Sequence, residues 1–315
     1  MKLSYSDEQN LLRDSVSKFC MSDYDFETRM KSVESEKGHN EEHWKLFAEL
    51  GWLAIPFAEE HGGLDGNDVD LSLMFEEFGK AIVVEPYLAN VVLGGGVLKR
   101  SDLEDKAKHI EGIIAGESQV SLANYEPEKG FNLANVDCEI SSDGTVNGLK
   151  TTVLNAQNAN YFVVFGKHEK DHAFALVSKD AEGLKCTSYK TYDGFVSGDV
   201  KFENCKAEAV FSVGSALNIL EETILDALVC VSSEAVGAME KCYQLTIEYT
   251  KQREQFGQPL SKFQALQHRM VDMFMETEFT KSFLLKVLAT HEADEKRKLI
   301  YGLKNQVALA GKSVA

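Results

Sequence analysis

The sequence has no apolar stretch that approaches the roughly 18 residues a membrane-spanning helix requires. It also has no excess of basic charge, because its formal net charge is −17 at pH 7. An acidic balance of this size argues against a nucleic-acid-binding protein and against attraction to an anionic membrane surface. It does not argue against an anionic cofactor, which one local basic pocket can bind.

The cysteines show no paired spacing of the CxxC type. The six are Cys20, Cys138, Cys186, Cys205, Cys230 and Cys242. Such scattering favours reduced thiols in a cytosolic protein over a disulfide framework. The first residues, MKLSYSDEQNLLRDSV, have the pattern of an amphipathic helix behind an N-cap at Ser4 or Ser6, so no signal peptide is expected. We therefore expect a cytoplasmic protein.

Motifs for metal and phosphate chemistry are absent or misplaced. The pentapeptide HEKDH at 168–172 matches the H-E-x-x-H zinc pattern, but it lies between two strand-like runs, whereas that pattern needs a helix. We interpret it as a charged hairpin turn and expect no metal site. The LGGGVL stretch at 93–98 lacks the spacing of a P-loop or dinucleotide fingerprint, so close helix packing explains it better. No serine elbow is present, and no Cys/His pair can be assigned a nucleophile's role.

The hydrophobic period changes twice along the 315 residues, which are enough for two or three domains. Apolar residues recur at helical spacing at first, alternate at a spacing of two in short runs through the middle, and then return to helical spacing. This pattern predicts a mainly α protein with a central β domain (α+β). The expected domains are an N-terminal all-helical domain at 1–118, a small β-sheet or partial-barrel domain at 119–212, and a C-terminal helical bundle at 213–315.

The helical stripes predict core residues and the number of helices. The N-terminal stripes include Leu11, Val16, Phe19, Trp44, Phe47, Leu50 and Leu53. The C-terminal stripes include Leu217, Leu220, Ile224, Leu228, Val231, Ala235, Ala238, Cys242, Leu245, Leu266, Met270, Met273, Phe274, Leu299, Leu303, Val307 and Leu309. A bundle usually needs four helices to close its core, and the sequence shows about three. We expect a final segment to be missing or to be supplied by another subunit.

The break between two of these helices, REQFGQPLSKFQ at 253–264, has residue types that an ordinary helix connection does not require. Its arginine offers a planar, always charged fork of donors that suits phosphate oxygens. Its phenylalanines offer flat apolar faces, and its glutamines offer both donors and acceptors. Such groups can bind a phosphate-bearing aromatic cofactor. The alternative is a plain helix hairpin in which Arg253 pairs with Glu248 or Glu254.

The pattern RxxFGxPLxxFQxxQHxxxDM, from Arg253 to Met273, resembles a segment of the acyl-CoA dehydrogenase family, flavoproteins that desaturate acyl-CoA thioesters. Three other segments are similar to family patterns and fall in the family's order: FAELGWLAIPFAEEHGGLDG, GLKTTVLNAQNANYFVV and VSGDVKFENCKAE. The resemblance covers nearly the whole chain. The stretches VVEPYLANVVLGGGVL and NYEPEKG look most like the small subunits of two-chain enzymes such as pimeloyl-CoA dehydrogenase.

The resemblance implies FAD as cofactor, acyl-CoA as substrate and a place in fatty-acid metabolism. A carboxylate removes the α-proton, a hydride passes from the β-carbon to flavin N5, and an electron-transfer flavoprotein is the implied electron acceptor. Matching positions imply that Arg253, Gln255 and Phe256 contact the flavin of a neighbouring subunit, and that Phe263 and Gln264 form a second FAD-contacting pair. The resemblance therefore implies a homodimer, a homotetramer or a heteromer with a second acyl-CoA dehydrogenase chain.

Two implied FAD-contacting segments depart from the family pattern. The stretch NYEPEKGFN at 124–132 keeps Glu126 and Pro127 of the family's TEPxxGSD loop but loses the Gly-Ser pair. The family's WIT triplet is TVL here, so its aromatic ring and its N5-facing hydroxyl are replaced, although the Thr152 hydroxyl offers a substitute. We still expect Glu126 and Thr152 to belong to the cofactor site.

No catalytic base can be assigned from the sequence. One branch of the family carries a glutamate 26 positions before the motif arginine, and that position is Ala227 here. Asp226 and Glu222 are nearby, but adjacent helical positions differ by about 100°, so neither substitutes simply. The other branch carries its glutamate near the C-terminus, and this sequence ends before it. The base is therefore expected in missing residues or on a partner chain, or it is absent. If it is absent, the chain is a non-catalytic scaffold subunit. An acyl-CoA oxidase is a further alternative.

Overall fold

The computed structural model describes residues 4–315. The chain divides into two compact units, each made of separate stretches of sequence. The first unit contains Met1–Arg29, Asp68–Val83 and Leu228–Ala315, and the second contains Met30–Asn67 and Val84–Ala227. Within the described residues, no helix combines the length and the apolar character needed to cross a bilayer.

Helices form both ends of the chain. The N-terminal helices are α1 (Asp7–Ser22), α2 (Phe26–Glu34), α3 (Glu41–Glu49), α4 (Asp68–Ala81), α5 (Gly95–Arg100) and α6 (Lys106–Ile114). A π-helical segment, Leu88–Gly94, leads directly into α5. The C-terminal elements are α7 (Ala216–Gln252), the short strands β9 (Glu254–Gln255) and β10 (Gln258–Pro259), then α8 (Gln264–Leu288) and α9 (Ala293–Val314). At α1, the Ser6 hydroxyl accepts the N–H of Gln9 and the Gln9 side chain accepts the N–H of Ser6, which confirms Ser6 as the N-cap.

Eight strands in the second unit form one sheet. They are β1 (Val120–Ala123), β2 (Glu139–Ile140), β3 (Thr145–Leu154), β4 (Tyr161–His168), β5 (Asp171–Ser178), β6 (Leu184–Lys190), β7 (Val196–Lys206) and β8 (Ala209–Phe211). The order is β6-β7-β3-β2-β4-β5-β8, and β1 pairs in parallel with β4. A buried cluster that includes Phe162, Val164 and Phe202 forms its core. The predicted fold class is confirmed, while the three-domain division stays a prediction.

The HEKDH pentapeptide lies at the tight turn between β4 and β5. His168 pairs with Asp171 across the hairpin, so Glu169 and Lys170 form the two-residue connection. Nδ1 of His168 is 2.9 Å from the carbonyl oxygen of Ile140, and Nε2 of His172 is 3.1 Å from that of Ala134. Each imidazole therefore contacts backbone, and the predicted hairpin turn is confirmed.

The glycine run before α5 allows close packing within the second unit. A Cβ on Gly94 would lie 2.2 Å from the carbonyl oxygen of Val120 in β1, and a Cβ on Gly96 would lie 3.0 Å from the Thr223 methyl group in α7. A side chain at position 94 would collide with the backbone of β1, and one at position 96 would press against the Thr223 methyl group. The prediction of close packing is confirmed, with a strand as well as a helix as the neighbour.

In the first unit, α4 and α7 cross with their backbones in contact. A Cβ on Gly79 would lie 1.9 Å from the carbonyl oxygen of Glu234, and a Cβ on Gly237 would lie 1.8 Å from that of Glu76. A buried hydrogen bond of 2.8 Å joins the hydroxyls of Ser72 and Ser233 along the same pair of helices. Small residues therefore set the separation of these two helices.

Some residues predicted to lie in the core are exposed instead. Leu11, Leu50, Leu245, Phe274 and Leu309 have between 45% and 70% of their surface accessible. The helical period shows that an apolar residue shares a face with others, but it does not show whether the same chain covers that face. The prediction that these five residues belong to this chain's own core is wrong, because the described residues leave about half or more of each accessible.

Candidate functional site

The break between α7 and α8 is a miniature β-hairpin. The helix α7 ends at Gln252, and Gln255 of β9 pairs with Gln258 of β10. The two-residue turn between them, Phe256-Gly257, has φ values of +52° and +78°. Positive φ at both central residues is the pattern of a type I′ hairpin turn, in which asparagine followed by glycine is the favoured pair.

Phe256 is an unusual residue for this turn. A bulky side chain at positive φ is strained by a free energy on the order of 1 kcal/mol or more. The ring is nevertheless 92% exposed, so burial of apolar surface does not offset the strain. Its one ring contact within the described residues is an edge-to-face contact with Phe263, with centroids 6.2 Å apart. The hairpin therefore holds an aromatic ring outward in solvent.

Arg253 connects α7 to this hairpin. Its backbone N–H donates to the carbonyl oxygen of Tyr249 at 2.8 Å, and its own carbonyl oxygen accepts the N–H of Leu260 at 2.8 Å. Its exposed side chain makes no ion pair within residues 4–315, either with Glu248 or with Glu254. The alternative of a plain helix hairpin held by such a pair is therefore wrong, and no ion pair holds the guanidinium within residues 4–315.

The remaining predicted residues of this segment surround the start of α8. Phe263 is the half-buried residue that precedes the helix, and Gln264 is its first residue, with an exposed side chain. Gln255 is exposed on β9. The fold thus brings Arg253, Gln255, Phe256, Phe263 and Gln264 together in one segment of the first unit. Glu126 and Thr152 belong to the second unit.

Glu126 is buried and fully engaged within the second unit. One carboxylate oxygen, Oε1, lies 2.6 Å from Nζ of Lys150 and accepts the N–H of Cys138 at 2.9 Å. The other, Oε2, accepts the N–H of Asp137 at 2.5 Å. Burial alone would raise the pKa of Glu126, but the Lys150 ammonium and the two backbone donors outweigh burial and lower this pKa. Glu126 is therefore a carboxylate whose oxygens already have partners.

Thr152 lies at an irregular point of β3. Its φ is +53°, and the register between β3 and β7 shifts between Lys150 and Val153. Its N–H donates to a carboxylate oxygen of Asp199 at 3.2 Å, and its side chain is exposed. The bulge turns the side chains that follow Lys150 relative to those before it. The role of Thr152 in cofactor binding stays a prediction.

Sequence reasoning did not identify Lys150 as a site residue. The available signal was a lysine within a strand-type run, four residues after the inward-facing Val146 and therefore on the same face of the strand. Nearby, the side-chain amide nitrogen of Asn124 is buried and has no hydrogen-bond partner among the described residues. This orphan donor lies two residues before Glu126, in the segment that the resemblance links to the cofactor.

The region of the missing catalytic base offers no free carboxylate. Ala227 is a buried residue of α7. The adjacent Asp226 lies 2.7 Å from Nη2 of Arg100 and 3.9 Å from Nζ of Lys99, so an ion pair holds its carboxylate. Glu222 also has interacting neighbours. We therefore exclude Asp226 as an unpaired base in this arrangement.

Two family models match the chain. The N-terminal domain of acyl-CoA dehydrogenase matches residues 6–117, and its C-terminal domain matches residues 217–315. The chain is 29% identical over 306 residues to the probable acyl-CoA dehydrogenase YngJ of Bacillus subtilis. The aligned region covers 91% of this chain and 80% of the relative. It is also 29% identical to the mitochondrial isovaleryl-CoA dehydrogenase of Solanum tuberosum, over 78% of this chain and 63% of the relative.

Solved structures have the same fold. The ChsE4-ChsE5 complex from Mycobacterium tuberculosis matches with a TM-score of 0.89 at 20% identity, covering 100% of this chain and 86% of the other. The FAD complex of PigA matches with a TM-score of 0.87 at 22% identity, covering 100% and 88%. Together the two domain models match well over half of the sequence. The chain therefore belongs to the acyl-CoA dehydrogenase family, a family of oxidoreductases that act on the CH–CH bond of acyl-CoA.

Proposed function

We propose that this protein is an FAD-dependent acyl-CoA dehydrogenase chain that takes part in α,β-desaturation of an acyl-CoA thioester. The observation that carries the proposal is the hairpin between α7 and α8. It presents an arginine without an ion-pair partner within residues 4–315 next to an exposed phenylalanine in a strained backbone conformation. Strain of this kind persists in proteins mostly where function requires it.

The donor set fits FAD. A guanidinium fork matches the oxygens of a pyrophosphate, and an exposed phenyl ring offers a flat surface to an aromatic group. In the second unit, the orphan amide nitrogen of Asn124 is a buried donor that requires an acceptor. We assign cofactor binding to Arg253, Gln255, Phe256, Phe263, Gln264 and Thr152. When bound, FAD supplies the two-electron oxidant of the reaction.

The chain's own residues then have defined tasks. Desaturation removes a proton from the α-carbon and a hydride from the β-carbon, so a base must lie beside the α-carbon. The buried methyl group of Ala227 provides no base, and the ion pair with Arg100 holds Asp226. We assign this chain the binding of the cofactor, and neither Ala227 nor Asp226 is assigned the role of the base.

An assembly of chains is part of the proposal. Val271, Met275 and Phe279 lie four residues apart along α8, and each is more than half exposed. Three such residues at helical spacing form an apolar stripe, which soluble proteins usually cover with another subunit. PigA and the ChsE4-ChsE5 complex have the same fold, and the latter contains two different proteins. We therefore propose a dimer of these chains or a heteromer with a second acyl-CoA dehydrogenase chain.

A second candidate function is a non-catalytic subunit that completes the flavin site of its partner. The alanine at position 227 and the ion-paired Asp226 favour it. Both candidates predict flavin in the assembly, but they differ in where substrate reacts. The electron acceptor is either an electron-transfer flavoprotein or oxygen. The rates at which each of them reoxidises the reduced flavin distinguish the two.

The test is an anaerobic titration of the purified, FAD-loaded protein with saturated acyl-CoA thioesters, alone and together with a candidate second chain. If acyl-CoA bleaches the visible flavin absorption in the preparation of this chain alone, the result supports a complete dehydrogenase. Bleaching only with the second chain supports the subunit candidate. A flavin-loaded assembly that no acyl-CoA bleaches contradicts the first candidate, and a protein that binds no FAD in either preparation contradicts both.

A further inference from the structure

The buried ion pair of Glu126 and Lys150 joins three parts of the second unit. Nζ of Lys150 lies 2.6 Å from Oε1 of Glu126 and donates to the carbonyl oxygen of Asn124 at 3.3 Å. One residue further along, the N–H of Thr151 donates to the carbonyl oxygen of Tyr125 at 2.9 Å. Strand β3 is thus bonded to each of the three residues 124, 125 and 126.

The same carboxylate closes a loop. Glu126 begins the segment 126–138, and its two oxygens accept the N–H groups of Asp137 and Cys138 at its far end. Phe131, which lies between these two ends, is exposed. The loop's two ends are therefore held by one side chain, and that side chain is held by Lys150.

Close backbone packing aligns the end of the loop with β3. A Cβ on Gly148 would lie 2.8 Å from the Cα of Cys138, so only glycine permits this approach. Two residues later, the side chain of Lys150 is completely buried, and that of Glu126 is 3% exposed. Removing one partner of such a pair leaves a charge buried without compensation, which is strongly destabilising.

We infer that Glu126 and Lys150 are positioning residues of the cofactor site and that Glu126 does not itself contact the cofactor. Glu126 has no oxygen left without a partner, and its negative charge would repel phosphate groups. Lys150 lies two residues before Thr152 and its bulge, so the pair fixes the segment 124–126 relative to the part of β3 that carries Thr152. This inference rests on the proposed function, and it gives Glu126 a different role from the direct cofactor contact that sequence similarity implied.

The inference predicts a coupling that is specific to the pair. Lys150→Met keeps the side-chain length and removes the ammonium, whereas Glu126→Gln keeps the shape and removes the negative charge. The double variant Glu126→Gln/Lys150→Met removes both charges and is expected to be less damaging than Lys150→Met alone, since no charge is left unpaired. If Lys150→Met does not fold, the double variant is used to measure FAD binding in its place.

Two control variants separate positioning from loss of stability. Val164→Ala removes methyl groups from the buried cluster of the same unit and lowers thermal stability while leaving Glu126 and Lys150 in place. Lys206→Met breaks the exposed ion pair of Lys206 with Asp143 in the same sheet. Neither residue belongs to the segment 124–138 or to the Glu126–Lys150 pair, so both variants are expected to bind FAD as the wild type does.

The experiment measures FAD affinity, the visible circular dichroism of bound FAD, and amide hydrogen exchange at Asp137 and Cys138 in the full-length chain. We expect Glu126→Gln and Lys150→Met to weaken FAD binding about tenfold or more, to change the flavin dichroism and to speed exchange at both amides. If Val164→Ala, at an equal loss of thermal stability, weakens FAD binding as much, the inference is overturned. A wild-type protein without FAD affinity overturns the proposed function instead, and the inference with it.

Discussion

The rings of Phe256 and Phe263 meet edge to face, with an interplanar angle of 80° and centroids 6.2 Å apart. Phe256 stands at the tip of the hairpin and Phe263 at the start of α8, so this contact is the one ring contact that the described chain gives to Phe256. It leaves most of the Phe256 ring in solvent. Folding stability alone does not explain phenylalanine at this position, because asparagine is the favoured residue at this point of a type I′ turn.

Replacing Phe256 with asparagine is predicted to separate stability from cofactor binding. Asparagine followed by Gly257 is the preferred pair for this turn, so Phe256→Asn should raise the free energy of unfolding by about 1 kcal/mol. The same change removes the aromatic face and should weaken FAD binding. Urea unfolding and FAD titration measure the two effects, and a variant that loses stability without losing FAD affinity would show that the ring serves the fold.

The crossing of α4 and α7 is predicted to tolerate no side chain at its two glycines. Gly79→Ala and Gly237→Ala should each destabilise the first unit by about 3 kcal/mol, because the added methyl group would collide with a backbone carbonyl on the facing helix. Gly311→Ala is the matched control, since nothing lies within 4 Å of its Cβ position in α9. It should stabilise the helix by about 0.5–1 kcal/mol. Equal effects at all three positions in thermal unfolding would contradict the described crossing.

The second unit is predicted to lose stability below about pH 6.5. Burial lowers the pKa of His39 and of His109 from the ordinary value of 6.5. In this window the unfolded chain binds protons that the folded chain does not, so the free energy of unfolding should fall as the pH is lowered from 7.5 to 5.5.

Tryptophan fluorescence can follow this unit alone, because Trp44 and Trp52 are the chain's two tryptophans and both lie in it. His39→Gln should flatten the pH dependence of unfolding, whereas His291→Gln, at an exposed position of the first unit, should not. A His39→Gln variant with the full wild-type pH dependence would refute the assignment to His39.

A glutamate at position 227 is predicted to supply the missing base. One branch of the family carries its catalytic glutamate at this distance before the motif arginine, and Ala227 is the buried residue found there. Ala227→Glu should raise the rate of flavin bleaching by acyl-CoA, and Ala227→Gln, of equal size without a carboxylate, should not. No gain with the glutamate, in a protein that still binds FAD, would contradict the assignment of position 227 as a place from which a base can act.

Much of the fold could be predicted from the sequence because period and turn chemistry are local. The strands of the middle region, the helical stripe of α7 and the hairpin turn at Glu169 and Lys170 all follow from the spacing of apolar residues and from short-range turn preferences. The three-residue strand β8 carries too few residues to show a period and was not predicted. The exposure of Leu245 and Phe274 was not predictable, since the helical period shows which residues share a face of a helix but not whether another element packs against that face.

The candidate site was predictable in part, for a similar reason. The hairpin residues form one stretch of sequence, so a single motif identified Arg253, Gln255 and Phe256. The partner of Glu126 is 24 residues away on another strand, and no local pattern connects Glu126 with Lys150. The positive φ of Phe256 was also hidden, because asparagine rather than phenylalanine is the usual sign of that conformation.

The central claim is that Arg253 holds a flavin cofactor. It is tested most directly by equilibrium titration of FAD into the full-length protein and into Arg253→Glu, with Lys251→Glu, an exposed residue at the end of α7, as the charge-matched control. We predict that the wild type and Lys251→Glu bind FAD, while Arg253→Glu binds it at least about a hundredfold more weakly, because a repelled phosphate replaces a bidentate contact. Equal affinity of Arg253→Glu and the wild type would contradict the claim.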